Sequence, residues 1–90
     1  MADTLPNTPL PANTWVDLYA ATGITVGTKL LLQNLGNSSI RLASSATTPS
    51  GDGFKRVYSG SSAYNATGDS GAWAYSPVVD GVANVGEAPA

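Results

Sequence analysis

The sequence contains no cysteine and no histidine among its 90 residues. Without cysteine the chain forms no disulfide and offers no thiolate to a zinc ion. Without histidine it offers no imidazole ligand, and it lacks the base that activates the serine of a protease triad. These two absences exclude disulfide scaffolds, zinc sites built on cysteine or histidine, and histidine-dependent catalysis.

Charged residues are also few, at 11% of the chain against about 25% in an average globular protein. The four basic residues are Lys29, Arg41, Lys55 and Arg56. Only the last two are adjacent, so no basic stripe is available to neutralise phosphates, and we expect no nucleic-acid partner. A surface this low in charge has two interpretations: it suits burial against other subunits, or it is simply what small β domains carry.

Long apolar runs are missing as well. No stretch approaches the roughly 20 apolar residues of a membrane helix. The opening MADTLPNTPLP has neither the basic segment nor the apolar segment of a secretory signal. We therefore expect a protein made in the cytoplasm, with no membrane partner.

Proline is concentrated at the start of the chain, and it predicts an extended N-terminal arm over residues 1–13. Proline fixes φ and lacks an N–H, which disfavours both a helix and a central strand. One alternative is a disordered leader. The other is an arm that docks on a partner through a set of apolar and proline residues: Leu5, Pro6, Pro9, Leu10 and Pro11.

The rest of the chain has the alternation and turn spacing of an all-β domain. Strands are predicted at 14–20, 28–34, 39–45, 54–59, 71–77 and 82–86, with a further short strand around 63–66. Gly36-Asn37 predicts a hairpin between the second and third of these. The expected fold is a small antiparallel β-sandwich or barrel of six to seven short strands, covering residues 14–87 and followed by a short tail at 88–90.

Two of the predicted strands carry aromatic residues at a period of two. Val16 and Leu18 form the core face of the first strand, which leaves Trp15 and Tyr19 on its outer face. Trp73 and Tyr75 share one face of a later strand, opposite Ala72 and Ala74. We interpret the aromatic set as a candidate partner interface: Trp15, Tyr19, Trp73 and Tyr75.

The segment TGDSGAWAY contains GDSG, the sequence around the nucleophile of trypsin-like proteases. A serine nucleophile needs a neighbouring base, and the chain has no histidine to supply one. Gly68 and Gly71 allow unusual dihedrals, and Asp69 and Ser70 bond readily to nearby backbone. We therefore predict that GDSG is a turn and that the chain has no catalytic residue.

The acidic residues are scattered and form no pair or calcium-loop spacing. We accordingly predict no metal site and no cofactor. The remaining alternative for a ligand is a carbohydrate-binding module that uses the four aromatic residues as stacking platforms.

The run WVDLYAATGITVGTKLLLQNLGNSSIRLASSATTPSGDG is similar to small structural proteins of tailed bacteriophages. Those proteins share a similar opening strand, a VGTKLLLQNLG-type strand and turn, and a strand like IRLASS before a T-x-P loop. Their second half resembles SGAWAYSP and the closing G-x-x-N-V of residues 81–85. The likeness covers about residues 14–87 and lies in a pattern of strands and turns.

This resemblance implies a non-enzymatic subunit of a virion, made in the host cytoplasm. Capsid decoration is the expected position, with the major capsid protein or another virion protein as partner and a homotrimer as the favoured assembly. A fibre base, a tail component or a baseplate component is the alternative.

Overall fold

The computed structural model describes residues 6–49 and 54–88. Within these ranges the chain forms eight strands and one short helix. They are β1 (Thr8–Leu10), β2 (Trp15–Asp17), α1 (Leu18–Thr22), β3 (Leu30–Asn34), β4 (Ile40–Ser44), β5 (Lys55–Val57), β6 (Ser62–Tyr64), β7 (Ala72–Tyr75) and β8 (Gly81–Glu87). The all-β prediction is confirmed, and the predicted count of six to seven strands is too low by the short strand β1.

The strands form two antiparallel four-stranded sheets. The first sheet has the order β1-β8-β3-β6 and the second has the order β2-β7-β4-β5. Strand β8, the longest, lies between β1 and β3, where it pairs along both edges. Most contacts join residues far apart in sequence, so the fold depends on long-range pairing.

Alternating residues of both sheets meet in one hydrophobic core. Because successive side chains of a strand point to opposite faces, every second residue is buried. The core cluster consists of Leu10, Leu18, Tyr19, Leu30, Leu32, Ile40, Leu42, Val57, Ala72, Ala74, Ala83 and Val85. Burying each leucine or isoleucine contributes about 1.5–3 kcal/mol, so these alternating positions hold the two sheets to a common centre.

The proline-rich start of the chain is not a free arm over its described part. Thr8, Pro9 and Leu10 pair with β8, and Leu10 has 0% exposure in the core. Strand β1 lies at the edge of its sheet, which is where a proline without an N–H is tolerated. The predicted extended backbone is therefore present here, but tertiary pairing has made it part of the domain.

The predicted first strand is interrupted after Asp17. The Asp17 carboxylate caps α1 by accepting hydrogen bonds from the N–H groups of Tyr19 and Ala20, at 3.1 and 3.2 Å. Gly23, at φ 77°, ends the helix in the left-handed conformation. Local capping thus overrides the two-residue alternation that predicted a strand through residue 20.

Residues 35–39 do not form the predicted hairpin. Strand β3 pairs with β6 and β8, whereas β4 pairs with β5 and β7, so the chain crosses here from one sheet to the other. Gly36 is also not among the described residues with positive φ, which the commonest hairpin turns require. The prediction of a turn at Gly36-Asn37 gave the right position, but the prediction that this turn joins two paired strands is wrong.

A buried asparagine, Asn34, organises this crossover and ties the two sheets together. Its side-chain Nδ2 donates to the carbonyl oxygens of Ser38 and of Val57 in β5, at 2.8 and 2.9 Å. Its Oδ1 accepts from the N–H of Gly36 at 3.0 Å. One amide thereby satisfies three backbone groups at the point where the chain changes sheets.

We expect Asn34→Ala to lower the free energy of unfolding by about 3 kcal/mol, because it removes one buried and two partly buried hydrogen bonds to the backbone. Urea unfolding monitored by tryptophan fluorescence measures the change. Gln33→Ala, on the exposed side of the same strand, is the matched control and should change stability by less than about 0.5 kcal/mol. Equal losses for the two variants would contradict the role assigned to Asn34.

Candidate interaction surface

The outer face of the second sheet carries a row of large side chains across its four strands. The register pairs Trp15 with Tyr75, Tyr75 with Arg41, and Arg41 with Arg56. Directly paired residues project from the same face of a sheet. The next row along the same face pairs Asp17 with Trp73 and Trp73 with Ala43.

Within the first row, Trp15 contacts Tyr75 and Tyr75 contacts Arg41, and Arg41 also contacts Phe54. The rings of Trp15 and Tyr75 have centroids 4.9 Å apart with an interplanar angle of 45°. The guanidinium carbon of Arg41 lies 5.4 Å from the Tyr75 centroid and 4.6 Å from the centroid of Phe54. Each of these four side chains is half-buried. We call Trp15, Arg41, Phe54, Trp73 and Tyr75 the aromatic–arginine face.

Trp73 is held in place by the backbone of a neighbouring strand end. Its indole Nε1 donates to the carbonyl oxygen of Ser45 at 2.9 Å. Gly71 lies so close to that same carbonyl that a Cβ at position 71 would collide with it. The final glycine of GDSG is therefore required for close packing beside Trp73.

Three of the four predicted aromatic residues share this face, and Tyr19 does not. Tyr19 is 3% exposed in the core. Its hydroxyl donates to the carbonyl oxygen of Thr28 at 2.6 Å and accepts from Nδ2 of Asn65 at 2.9 Å. Helix α1 turns this side chain away from the direction that strand alternation predicted. The signal that would have found the helix is the Asp17 cap followed by Gly23.

Two residues of the face were missed by the sequence interpretation. Arg41 contacts two rings, and this arrangement follows only from strand register. Phe54 precedes Val57 by three residues, so the two side chains are expected on opposite faces of a strand. The structure buries Val57 and places Phe54 against Arg41 on the outer face, as a period of two requires.

The predicted arm residues are distributed differently. Leu5 lies outside the described residues, and Leu10 is enclosed in the chain's own core. Pro6, Pro9 and Pro11 are exposed along the outer side of β1. The prolines therefore remain accessible to a partner, whereas the side chain of Leu10 does not.

The predicted turn is present but lies at residues 66–69, so it includes Gly68 and Asp69 of GDSG and ends before Ser70. Gly68 has φ of 88°, and its N–H donates to the carbonyl oxygen of Gly27 at 2.8 Å. The Asp69 carboxylate accepts from the Ala66 N–H at 3.1 Å and from the Ser44 hydroxyl at 2.8 Å. Ser70 is exposed, and the hydrogen bonds that hold this segment are made by Gly68 and Asp69.

Acidic groups do not converge in the described part of the chain, where no three carboxylates form a group able to hold a metal ion. The described residues also contain no helix long and apolar enough to cross a membrane, since α1 has five residues.

No family model, curated protein or solved structure matches this chain.

A second surface feature is the connection between β7 and β8. The Val79 N–H donates to the carbonyl oxygen of Pro77 at 2.8 Å, and Val78 between them has φ of 72°. This is a γ-turn of the rare, strained hand, and it carries a β-branched residue that is 80% exposed. The Val78 side chain is thus an exposed apolar tip of the turn, and burial in the core does not stabilise it.

Hydrogen bonds hold this tip from several sides. Asn13 Oδ1 accepts from the Val78 N–H at 3.0 Å, and the Ser76 hydroxyl donates to the Val79 carbonyl at 2.6 Å. The Asp80 carboxylate accepts from the Ala12 N–H at 2.9 Å. These bonds fix the strained conformation independently of the valine side chain.

We expect Val78→Gly to raise the free energy of unfolding by about 1 kcal/mol, because glycine adopts positive φ without strain and no buried contact is lost. Val79→Gly is the matched control: Val79 is also exposed but does not have positive φ, so glycine there should destabilise the chain. Thermal unfolding by circular dichroism compares the two. Destabilisation by both substitutions would show that Val78 is not strained.

Proposed function

We propose that this chain is a non-enzymatic structural protein of a tailed-bacteriophage virion and that it decorates the capsid. Its partner in this proposal is the major capsid protein or another virion protein, and it reaches the particle after synthesis in the host cytoplasm. The class of protein in this proposal rests on the resemblance noted above, between the strand-and-turn pattern of residues 14–87 and that of small virion proteins. The surface chemistry described above supports a role in binding.

The observation that carries the binding role is the aromatic–arginine face. Tryptophan, tyrosine and arginine are the residues most enriched where protein interfaces concentrate their binding energy. Here Trp15, Tyr75 and Arg41 lie side by side on one sheet face, with Trp73 in the adjacent row. The rings hold one another in position before binding, which reduces the entropy lost when a partner docks.

We further propose that the two sheets pack face to face as a β-sandwich. The single core cluster, which draws buried residues from both sheets, supports this arrangement. In a sandwich the inner faces form the core, so the outer face of the second sheet is free for a partner.

Other positions in the virion remain alternatives, namely a fibre base, a tail component or a baseplate component. The carbohydrate-binding module is a different class of function. It fits less well, because Trp15 and Tyr75 are tilted by 45° and do not form a flat platform, and because Tyr19 lies in the core. A glycan titration that quenches tryptophan fluorescence would favour it over a structural role.

Deleting the gene from the encoding phage should yield capsids that lose their DNA at a lower temperature, and adding the purified chain should restore their stability. The reason is linkage: a protein that binds the assembled shell, and not free subunits, stabilises the shell. Dye release on heating measures the effect, and a heat-denatured sample of the chain is the control.

Immunogold labelling of intact virions separates the positions. Label over the head supports decoration, whereas label confined to the tail or fibres supports the alternative positions. Absence of the chain from purified particles by mass spectrometry would overturn the virion proposal as a whole.

We expect the purified chain to form a trimer, since decoration of three-fold positions on a shell favours three-fold symmetry. Multi-angle light scattering over a range of concentrations measures the mass directly. A monomer at every concentration would contradict the trimer and restrict assembly to the particle surface.

A further inference from the structure

The second sheet places two arginines side by side, and no described carboxylate forms an ion pair with either of them. Arg41 and Arg56 are direct cross-strand partners in the register of β4 and β5. Like charges in this position destabilise a sheet. Within residues 6–49 and 54–88, no ion pair or hydrogen bond uses either guanidinium group. The pair therefore constitutes a local concentration of positive charge on a chain whose net charge is −2.

Arg41 is also restrained in a way that suits recognition. Its guanidinium carbon lies over two rings, 4.6 Å from the centroid of Phe54 and 5.4 Å from that of Tyr75. A stacked guanidinium keeps its N–H donors at the rim of the plane, where they bind a carboxylate through two parallel hydrogen bonds. Since the side chain is already ordered and half-buried, such a contact loses less entropy and is better shielded from water than one on a free arginine.

We propose that the aromatic–arginine face recognises a carboxylate on a partner polypeptide, an aspartate or glutamate flanked by apolar side chains. Arg41 binds the carboxylate bidentately, Arg56 adds a second positive charge beside it, and Trp15, Phe54 and Tyr75 pack against the flanking apolar groups. This inference rests on the proposed role as a binding subunit and specifies the chemistry of its partner.

Charge complementarity indicates a different polypeptide and not a second copy of this chain. A symmetric contact between two such faces would bring two arginine pairs together. The described carboxylates do not form a matching patch: Asp17 caps α1, Asp69 holds the 66–69 turn, and Asp80 holds the β7–β8 connection. The remaining described carboxylate, Glu87, lies at the end of β8 in the first sheet. A single-stranded nucleic acid fits less well, because two arginines neutralise only about two phosphates.

The inference is tested by panning the purified full-length chain against a random peptide library, with Arg41→Gln protein as the counter-selection target. We expect the enriched peptides to share an acidic residue beside apolar or aromatic residues. The most enriched peptide is then synthesised with a fluorophore, and its affinity is measured by fluorescence anisotropy. A second peptide, with glutamine or asparagine in place of its acidic residues, tests the carboxylate directly.

Arg41→Gln should weaken peptide binding by about tenfold or more, and Arg41→Lys should weaken it to an intermediate degree, because lysine keeps the charge but loses the bidentate geometry. Lys29→Gln is the matched control: Lys29 stacks on Tyr64 at 4.8 Å, but on the first sheet, so binding should not change. Arg56→Gln provides a second test should Arg41→Gln unfold the chain, and thermal unfolding of each variant verifies its fold.

Four outcomes would overturn the inference. Three of them are enriched peptides without acidic residues, equal affinity for the acidic and amide peptides, and oligothymidylate binding that Arg41→Gln abolishes while acidic peptides do not bind. The fourth is loss of self-association in Arg41→Gln, which would assign the face to a second copy instead. Because these measurements use only the purified chain, their result does not depend on whether the chain is part of a virion.

Discussion

The connection between the two sheets depends on how backbone polar groups are satisfied where the chain leaves one sheet and enters the other. At that point the carbonyl oxygens of Ser38 and Val57 and the N–H of Gly36 converge on one side chain. The side chain of Asn34 bonds all three from a fully buried position. An unpaired buried group costs about 1–3 kcal/mol, so one amide makes this crossover stable.

A buried asparagine also binds the backbone at the opposite end of β3. The Leu30 N–H donates to Oδ1 of Asn65 at 2.6 Å, and Nδ2 of Asn65 donates to the Tyr19 hydroxyl. Tyr19 in turn donates to the carbonyl oxygen of Thr28. Strand β3 is thus fixed at both ends by a buried asparagine, and no buried side-chain polar atom in the described residues lacks a partner. This network explains why an aromatic residue expected on the surface is in the core.

The residues that form the outer face of the second sheet are determined by the residues that face the core. With the register of β2, β7, β4 and β5 fixed by inward-facing Val16, Ala74 and Leu42, the outward positions are fixed as well. Small alanines on the inner face of β7 and large rings on its outer face place most of that strand's apolar surface outside the core. Trp73 and Tyr75 are therefore only half-buried, whereas Ala72 and Ala74 are fully enclosed.

Alternation along the chain was sufficient to predict an all-β domain and most strand positions, including the split of Ala72 and Ala74 from Trp73 and Tyr75. It also identified GDSG as a turn, since glycine and aspartate have local backbone preferences. Local signals could not decide which strands pair. The composition of residues 35–39 is that of a turn whether the next strand joins the same sheet or the other one.

The tertiary structure alone decided the position of Tyr19, the incorporation of Leu10 into an edge strand and the contacts of Arg41 with the rings of Phe54 and Tyr75. Each depends on residues distant in sequence that meet only when the register of the sheets is fixed. The sequence by itself determined which residues alternate and where the chain turns, because these follow from the dihedral preferences of single residues. Which strands pair and which side chains contact one another depends on the whole fold, because pairing and burial involve many residues at once.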